Sequence, residues 1–417
     1  MRKVSAVEAI RAIPDGSNVI FPGGTIDLDA LVPAFQGEVE RFHRLTLYSG
    51  YSFGDYRFLA HGLGTNFRYA SWQAAPQVRQ LFAEGKADYV PMRFGEVTRI
   101  VSKSGPIRPD VVLVQVSPPR RGQVSLGVSV SLYQDFIRSA SLVIAEINPH
   151  MPWTAGDSRV PVERIHLGVE SDALLGEYRM PAATERSARI VDHVLDLIPD
   201  RAWVQLGLGS VPDAVLGRLA EKRGVNLLSG MLSQGLQRFV EKARHTPAIT
   251  TGELAGDRAF YEFCGGTRQV RMATTRVTHD VAALGRLPRF ASINSTVEVD
   301  LQGQANGETI GPVQISGVGG SQDYVDAAAR SRGGVSILAL PSTTEDGRRS
   351  RIVAQLAPGS VVTTPRYSTD TVVTEYGVAR LKGKDLRTRA EALIHIAHPD
   401  FRAALVAALA ARRGRAA

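Results

Sequence analysis

Two glycine-rich segments are the places where the backbone of this chain could bind an anion. Residues 207–212 read Gly-Leu-Gly-Ser-Val-Pro and residues 317–321 read Gly-Val-Gly-Gly-Ser, and a stretch with helical periodicity follows each of them. Glycine lets a backbone approach a ligand closely, and the first turn of a helix has N–H groups without partners. The second segment could also donate to a carbonyl oxygen that gains negative charge. A tight turn with no ligand is the alternative for both segments.

Polar residues between positions 294 and 300 could also take part in chemistry. Asn294 could donate its side-chain amide to a developing oxyanion, and Glu298 and Asp300 could act as paired carboxylates in acid–base catalysis. Alternation along a strand places these two acids on the same face, about 7 Å apart. A solvated or salt-bridged strand face is the alternative for both.

Histidine and cysteine show no pattern of a metal site. The nine histidines lack the spacing of metal ligands, and there is a single cysteine, Cys264. No basic residue stands beside Cys264 to lower the pKa of its thiol, so a nucleophilic role is not expected. The sequence therefore predicts no metal ion and no tightly bound cofactor.

These candidate residues lie in a chain that alternates short apolar runs with amphipathic stretches. The runs at 111–116, 142–147, 203–206 and 335–340 are rich in β-branched residues and lack strict alternation. Strands buried on both faces of a parallel sheet have this composition. Amphipathic stretches such as 187–197 and 323–329 predict the helices between them. The fold class is therefore α/β.

The chain also repeats itself at the scale of a domain. Residues 12–15 and 197–200 share Ile-Pro-Asp, and each leads into a strand that ends at glycine, at 18–21 and 203–206. Two further glycine-containing landmarks recur at a similar offset of about 180 to 190 residues. We predict two similar open α/β domains with mostly parallel sheets, 1–184 and 185–417. Chance similarity of two strand-turn units is the alternative.

Composition excludes several classes of protein. The 417 residues are 44% hydrophobic and 22% charged, which suits large globular cores. The net charge of +8 is spread out, without a basic run interleaved with aromatic residues, so no nucleic-acid partner is expected. No apolar run reaches membrane-spanning length. Residues 1–16 predict an amphipathic helix and lack the apolar core of a signal peptide, so a cytoplasmic location is expected.

Several longer segments resemble the acetyl-CoA hydrolase/4-hydroxybutyrate CoA-transferase family. The most specific is 115–129, where Gln-Val-Ser-Pro-Pro is followed by Ser-Leu-Gly-Val-Ser. The others are 67–91, 146–152, 205–215, 294–300, 317–343, 373–377 and 396–402. The resemblance implies a class I CoA-transferase fold, a site at the domain interface and acyl-CoA as the substrate. It also implies CoA exchange through a glutamyl-CoA thioester on the enzyme, which splits one difficult step into two.

The residues and the resemblance together predict a site. The predicted catalytic residues are Gly319, Gly320, Asn294 and Glu298; the predicted CoA-binding residues are Gly207, Gly209, Val211, Gly317 and Val318; and the predicted substrate-pocket residues are Gly230, Met231, Gln115 and Ser117.

One departure from the family pattern affects the expected reaction. The family's nucleophilic glutamate stands in a segment that resembles residues 226–235, and its position is occupied here by Gly230. Arg120 and Arg121 also stand where the family has acidic and histidine residues. Because glycine cannot form a thioester, we expect hydrolysis or direct acyl transfer to a small bound acceptor. Candidate bases are Glu298, Glu146 and His150.

Two alternatives stay open at this point. One is an orthodox carboxylate CoA-transferase that uses another carboxylate, with Glu298 as the first choice. The other is a non-catalytic CoA-binding homologue. In each case the expected assembly is a homodimer, and no membrane partner is expected.

Overall fold

The computed structural model describes residues 1–179 and 184–414. Within these ranges, no helix is both long enough and apolar enough to cross a membrane. Residues 180–183, just before the predicted domain boundary, lie outside the described part.

Helices cover both halves of the chain. Their bounds are α1 (Ala6–Arg11), α2 (Leu31–Gly37), α3 (Arg79–Ala83), α4 (Val97–Ile100), α5 (Tyr133–Ser139), α6 (Glu185–Leu197), α7 (Ser210–Arg218), α8 (Gly235–Lys242), α9 (Arg258–Gly266), α10 (Thr275–Thr278), α11 (Val281–Leu284), α12 (Ser321–Arg330), α13 (Leu386–Ile396) and α14 (Pro399–Gly414). The helices predicted at 187–197 and 323–329 are confirmed as α6 and α12.

The strands alternate with these helices. Their bounds are β1 (Arg2–Lys3), β2 (Asn18–Ile20), β3 (Leu45–Ser49), β4 (Phe67–Ser71), β5 (Asp88–Tyr89), β6 (Val111–Val116), β7 (Gln123–Ser125), β8 (Leu142–Ile147), β9 (Ala155–Gly156), β10 (Arg159–Pro161), β11 (Leu167–Glu170), β12 (Trp203–Leu206), β13 (Asn226–Ser233), β14 (Ile249–Ala255), β15 (Val270–Met272), β16 (Phe290–Ser295), β17 (Glu298–Asp300), β18 (Ala305–Asn306), β19 (Thr309–Ile310), β20 (Val313–Gln314), β21 (Val335–Ala339), β22 (Ile352–Val353), β23 (Thr371–Thr374) and β24 (Gly377–Arg380). The four predicted buried strands are confirmed as β6, β8, β12 and β21.

The chain packs as two units that differ in part from the predicted division. Unit 1 contains residues 1–179 together with 230–234 and 248–278, and the remaining described residues form unit 2. The two inserted segments come from the half of the chain that the prediction assigns to the second domain. The boundary at residue 184 therefore stays a prediction.

Unit 1 is built on a parallel sheet. Its strand order is β1-β11-β8-β6-β2-β3-β4-β5, and every neighbouring pair is parallel. All six residues of β6 are buried, as a central strand covered on both faces requires. Strands β14, β15 and β9 also lie in this unit, with β15 parallel to both of its neighbours.

Unit 2 repeats the same arrangement. Its strands follow the order β24-β23-β21-β16-β12-β13, parallel except for the β23–β24 hairpin. Helix α12 packs on β16 through a cluster that includes Phe290, Tyr324 and Ala327. The predicted fold class, α/β with mostly parallel sheets in two similar halves, is confirmed.

The Phe290 side chain should stabilise unit 2 strongly, because it is fully buried between β16 and α12. We expect Phe290→Ala to lower the free energy of unfolding by about 3–5 kcal/mol, measured by chemical denaturation. Val406→Ala, on an exposed position of α14, is the control and should change it by less than about 0.5 kcal/mol. Equal effects of the two substitutions would contradict the assignment of this core.

Candidate functional site

The order of strands in unit 2 creates a crevice at one edge of its sheet. Strand β12 comes first in the chain, β13 lies on one side of it, and β16 lies on the other. Chain connections therefore leave β12 in opposite directions. In open α/β sheets, ligands bind outside the carboxyl ends of the strands at such a switch point.

The 207–211 turn lies at this switch point. Gly209 precedes α7 with φ of 123°, a backbone angle that favours glycine. No side chain caps the helix, and within the described residues the N–H groups of Gly209, Ser210 and Val211 have no acceptor. These free donors could bind an anion such as a phosphate. The side chain of Val211 is buried in unit 2 and cannot itself contact a ligand.

Asn294 lies next to this turn but has a partner of its own. A Cβ on Gly207 would lie 3.1 Å from the Asn294 side-chain oxygen, a tight contact that glycine avoids. Asn294 and Gln205 exchange two amide hydrogen bonds, each 3.1 Å long. One N–H of Asn294 is thus committed to Gln205, and the arrangement favours a structural role beside the turn.

The 317–321 turn is a separate feature of unit 2, at the start of α12. Gly319 has φ of 59° and Gly320 follows with φ of −94°. Within the described residues, neither N–H has an acceptor. Consecutive free N–H groups at residues of opposite handedness form an anion-binding nest. Gly317 is buried and Val318 is half-buried in the same turn.

His279 explains why position 320 is glycine. A Cβ there would lie 2.4 Å from Nε2 of His279. That ring is hydrogen-bonded to the Tyr324 hydroxyl at 3.0 Å. Burial lowers the pKa of His279 to about 3, so its imidazole is neutral. The glycine therefore allows a buried imidazole to pack under the turn.

Glu298 and Asp300 each have separate partners. Glu298 accepts from Asn306 at 3.0 Å and more weakly from Ser360 at 3.4 Å. Asp300 is buried and accepts three hydrogen bonds from Gln302 and Gln304 in the turn that follows it. Asp300 therefore has the bonding of a turn-stabilising residue rather than of an acid–base group.

Unit 1 has a switch point of the same kind, between β2 and β6. Gln115 and Ser117 lie at the end of β6. Gln115 donates to the Asp27 carbonyl oxygen at 2.9 Å, and Ser117 accepts from the Ser125 N–H at 2.9 Å. The second of these bonds closes the β6–β7 connection, so Ser117 has a structural role.

Glu146 caps the start of α2. Its carboxylate accepts from the N–H groups of Ala30 at 2.8 Å and Leu31 at 2.6 Å. Burial raises the pKa of Glu146, while these two bonds oppose the rise. Both bonds hold the Glu146 carboxylate at the helix N-terminus, which favours a capping role over a role as a catalytic base.

His150 lies in a cleft of about 400 Å³ in unit 1, which also contains Arg120 and Trp153. Its Nε2 is 3.2 Å from a carboxylate oxygen of Asp172. The Arg120 guanidinium lies over the Trp153 ring at 5.3 Å. This pairing places Arg120 in the cleft.

Gly230 and Met231 lie in β13, in the segment that packs with unit 1. The Gly230 carbonyl oxygen would be 3.2 Å from a Cβ placed on Gly252 of β14. Positions 230 and 252 are therefore close neighbours. Cys264, in α9, is buried, and burial raises the pKa of its thiol to about 12. It is neutral at ordinary pH, as expected for a thiol with no catalytic role.

Glu253 is a buried acid that the sequence analysis did not single out. It lies in β14, one residue after Gly252, and is 8% exposed. An antiparallel bridge joins it to Ser129, supported by a bond of 2.9 Å from the Leu254 N–H to the Val128 carbonyl oxygen. The only sequence signal was an acid beside a glycine in a short run rich in threonine.

Hydroxyl groups and a glycine surround the Glu253 carboxyl. A Cβ on Gly24, just beyond β2, would lie 3.3 Å from Glu253 Oε2 and 3.9 Å from Ser129 Oγ. Burial raises the pKa of Glu253 to about 8, and the Ser129 and Ser131 hydroxyls oppose that shift. Among the described residues, no cation pairs with this carboxyl.

Comparison with known proteins identifies the family. The acetyl-CoA hydrolase/transferase N-terminal domain matches residues 1–195, and the C-terminal domain matches residues 256–409. A 4-hydroxybutyrate coenzyme A transferase of Clostridium kluyveri is 37% identical over 412 residues, covering 97% of this chain and 96% of that protein. The chain belongs to the acetyl-CoA hydrolase/transferase family. It is therefore an enzyme of the acyl-CoA transferase or hydrolase type.

Solved structures agree with this family assignment. RipA from Yersinia pestis is 27% identical with a TM-score of 0.91, covering 99% of this chain and 97% of that chain. A 4-hydroxybutyrate CoA-transferase from Porphyromonas gingivalis is 30% identical with a TM-score of 0.81, covering 99% and 98%.

In this acetyl-CoA hydrolase/transferase, the structure brings some predicted site residues together and not others. Gly207, Gly209 and Asn294 meet at the β12–β16 switch point. Gly319 and Gly320 form their own turn in the same unit, while Gly230 and Gln115 belong to unit 1. Within the described residues, no group of three His, Cys, Asp or Glu side chains could hold a metal ion.

A methyl group at position 320 should destabilise unit 2 by displacing His279. We expect Gly320→Ala to lower the free energy of unfolding by about 1–3 kcal/mol. In the Gly320→Ala, His279→Ala double variant the two losses should be sub-additive, because the truncated imidazole leaves room for the methyl group. Chemical denaturation measures all three variants. Gly37→Ala, where a Cβ meets nothing within 4 Å, is the control. Strict additivity would contradict the steric explanation.

The Glu253 carboxyl should make stability depend on pH. Its pKa is about 8 in the folded protein, against 4.5 for a free carboxyl, so the folded state keeps a proton that the unfolded state loses. Stability should therefore fall as the pH rises from about 4.5 to about 8. Glu253→Gln removes this loss of stability. Between pH 4.5 and 8.5, the melting temperature of the variant should therefore rise relative to that of the wild type as the pH increases. Exposed Glu262→Gln should run parallel to the wild type. A parallel curve for Glu253→Gln would contradict the raised pKa.

Proposed function

We propose that this enzyme cleaves acyl-CoA thioesters by direct attack of water or of a small bound acceptor. The product is the free acid or the acyl-transfer product, together with CoA. No covalent glutamyl-CoA forms at position 230 in this reaction. Acyl-CoA is a substrate and not a resident cofactor.

The observation that carries this proposal is Gly230. It stands where the resemblance implies the nucleophilic glutamate, and it lies inside extended strand β13. A glycine has no carboxylate to attack a thioester, so covalent exchange at this position has no chemical basis. The attacking group is then water or another acceptor.

The two glycine turns of unit 2 have backbone donors for the phosphates of CoA and for the thioester oxygen. The free N–H groups at 209–211 suit the phosphates of CoA, and those of Gly319 and Gly320 suit a thioester oxygen that gains charge. A site at the domain interface, a homodimer and a cytoplasmic location stay predictions. Asn294 and Glu298 become less suitable as catalytic groups because Gln205 and Asn306 already bind them.

Carboxylate CoA transfer through another acid is the second candidate function. The name of the Clostridium kluyveri relative, a 4-hydroxybutyrate coenzyme A transferase, favours it. In that case a carboxylate acceptor is required, and an acyl-CoA alone gives a covalent CoA adduct but no sustained thiol release. Sustained thiol release without an added carboxylate therefore distinguishes the two functions.

Substitution at position 230 tests the proposal. Wild-type protein should release free thiol from a panel of acyl-CoAs without any added carboxylate, and its mass should not change on borohydride trapping. Gly230→Glu should restore a carboxylate on strand backbone that any residue can adopt, and should gain a CoA adduct and ping-pong transfer to acetate.

Gly230→Ala is the matched control, since it adds a Cβ without a carboxylate and should form no adduct. Ping-pong transfer by the wild type, with an adduct on another acid, would replace this proposal by the second candidate function. Absence of turnover with every acyl-CoA and acceptor would contradict both functions.

A further inference from the structure

We propose that the cleft of unit 1 beside Arg120 and Trp153 is a binding site for a carboxylate with an apolar body, such as a medium-chain fatty acid. The site shares no residue with the glycine turns that are proposed above to bind CoA. It therefore adds a second ligand to the molecule, and it does not depend on how the thioester is cleaved.

The first support is the volume and the lining of the cleft. Its volume of about 400 Å³ is in the range of pockets that bind small molecules. Leu174 lines the cleft and is 65% exposed, so an apolar ligand there would cover a large side chain that now faces water. Other apolar side chains of the lining are Pro149, Met151, Pro152 and Leu175.

The second support is a cation that has no carboxylate partner. The Arg120 guanidinium lies over the Trp153 ring, 5.3 Å from its centroid, and within the described residues it makes no ion pair. Two backbone hydrogen bonds between Arg120 and Gln123, of 2.8 and 3.1 Å, fix the turn that carries this side chain. A guanidinium that stacks on an aromatic face keeps its N–H groups available for the two oxygens of a carboxylate.

The third support is the pairing of the other Arg and Glu side chains that line the cleft. Arg258 and Glu262 bind each other at 2.8 Å, and the Glu177 carboxylate lies 3.9 Å from the Arg179 guanidinium. Arg120 is the cation that these pairs leave for a ligand. Because two glutamates border the same space, an anion with one negative charge fits better than a phosphate with two.

The fourth support is the indole N–H of Trp153. It is buried, and within the part of the chain that the structure describes it has no acceptor. Buried polar groups without partners are rare in folded proteins. A carboxylate bound beside the indole ring supplies an acceptor of the kind that this N–H lacks.

Arg120 is also a departure from the family pattern. It stands with Arg121 where the family has acidic and histidine residues. A cation at this place attracts an anion that an acid would repel, so the proposed specificity belongs to this chain. Arg121 is exposed and does not line the cleft, which makes it the matched control for Arg120.

Binding of octanoate in the absence of CoA tests the inference, by isothermal titration calorimetry on wild type, Arg120→Gln and Arg121→Gln. Acetate lacks the apolar body and octanamide lacks the charge, so each should bind to the wild type at least about 10-fold more weakly than octanoate. Arg120→Gln should raise the Kd for octanoate by about 10- to 100-fold. Arg121→Gln should match the wild type.

Tryptophan fluorescence locates the bound ligand. The chain has three tryptophans, and Trp153 lines the cleft. Octanoate should change the emission of the wild type. Trp153→Phe should lose this change, although it keeps an aromatic ring on which Arg120 can stack.

Equal affinities of Arg120→Gln and Arg121→Gln for octanoate would overturn the proposed site, and so would a wild type that does not bind octanoate. Binding of AMP or inorganic phosphate that depends on Arg120 and is tighter than that of octanoate would overturn the assignment of a carboxylate. No acyl-CoA is present in these measurements, so their outcome is independent of the proposed thioester cleavage.

Discussion

Parallel pairing of β2 with β6, and of β12 with β16, places a topological switch point in the sheet of each unit. Parallel strands need crossover connections, and the connections on the two sides of β2, and of β12, run in opposite directions. The carboxyl ends of the paired strands then border a crevice that no crossover covers. The residues that follow β2 and β12, at 21–24 and 207–209, lie at that edge because of this pairing alone.

Three glycines near the candidate site are explained by three different constraints. Gly209 is required by its own backbone angle, Gly320 by the imidazole of His279, and Gly252 by the hydroxyl of Ser131. At Gly320 and Gly252 the absent side chain leaves space for a buried polar side chain. Packing therefore explains Gly320 and Gly252, whereas backbone conformation explains Gly209.

Sequence patterns predicted the fold better than they predicted the site. Strands β6 and β8 were predictable because burial on both faces demands continuous apolar runs. The glycine turns were predictable because glycines are clustered at 207–209 and 317–320, each directly before a helical pattern. The partners of Asn294 and Glu253 were not, since Gln205 is 89 residues from Asn294 and the register that pairs Glu253 with Ser129 is set by tertiary structure. A contact between residues that are distant in sequence produces no local sequence pattern from which it could be predicted.

Glu146 and Glu253 are two buried acids whose surroundings differ. Both are buried, but Glu146 is compensated by two backbone N–H groups that begin α2. At Glu253 burial raises the pKa to about 8, although the Ser129 and Ser131 hydroxyls and the Ser131 backbone act in the opposite direction. An uncompensated buried charge costs stability, and a neutral amide of the same shape would avoid that cost. The ionised form of Glu253 therefore costs stability at neutral pH, whereas the backbone donors of Glu146 offset the cost of its burial.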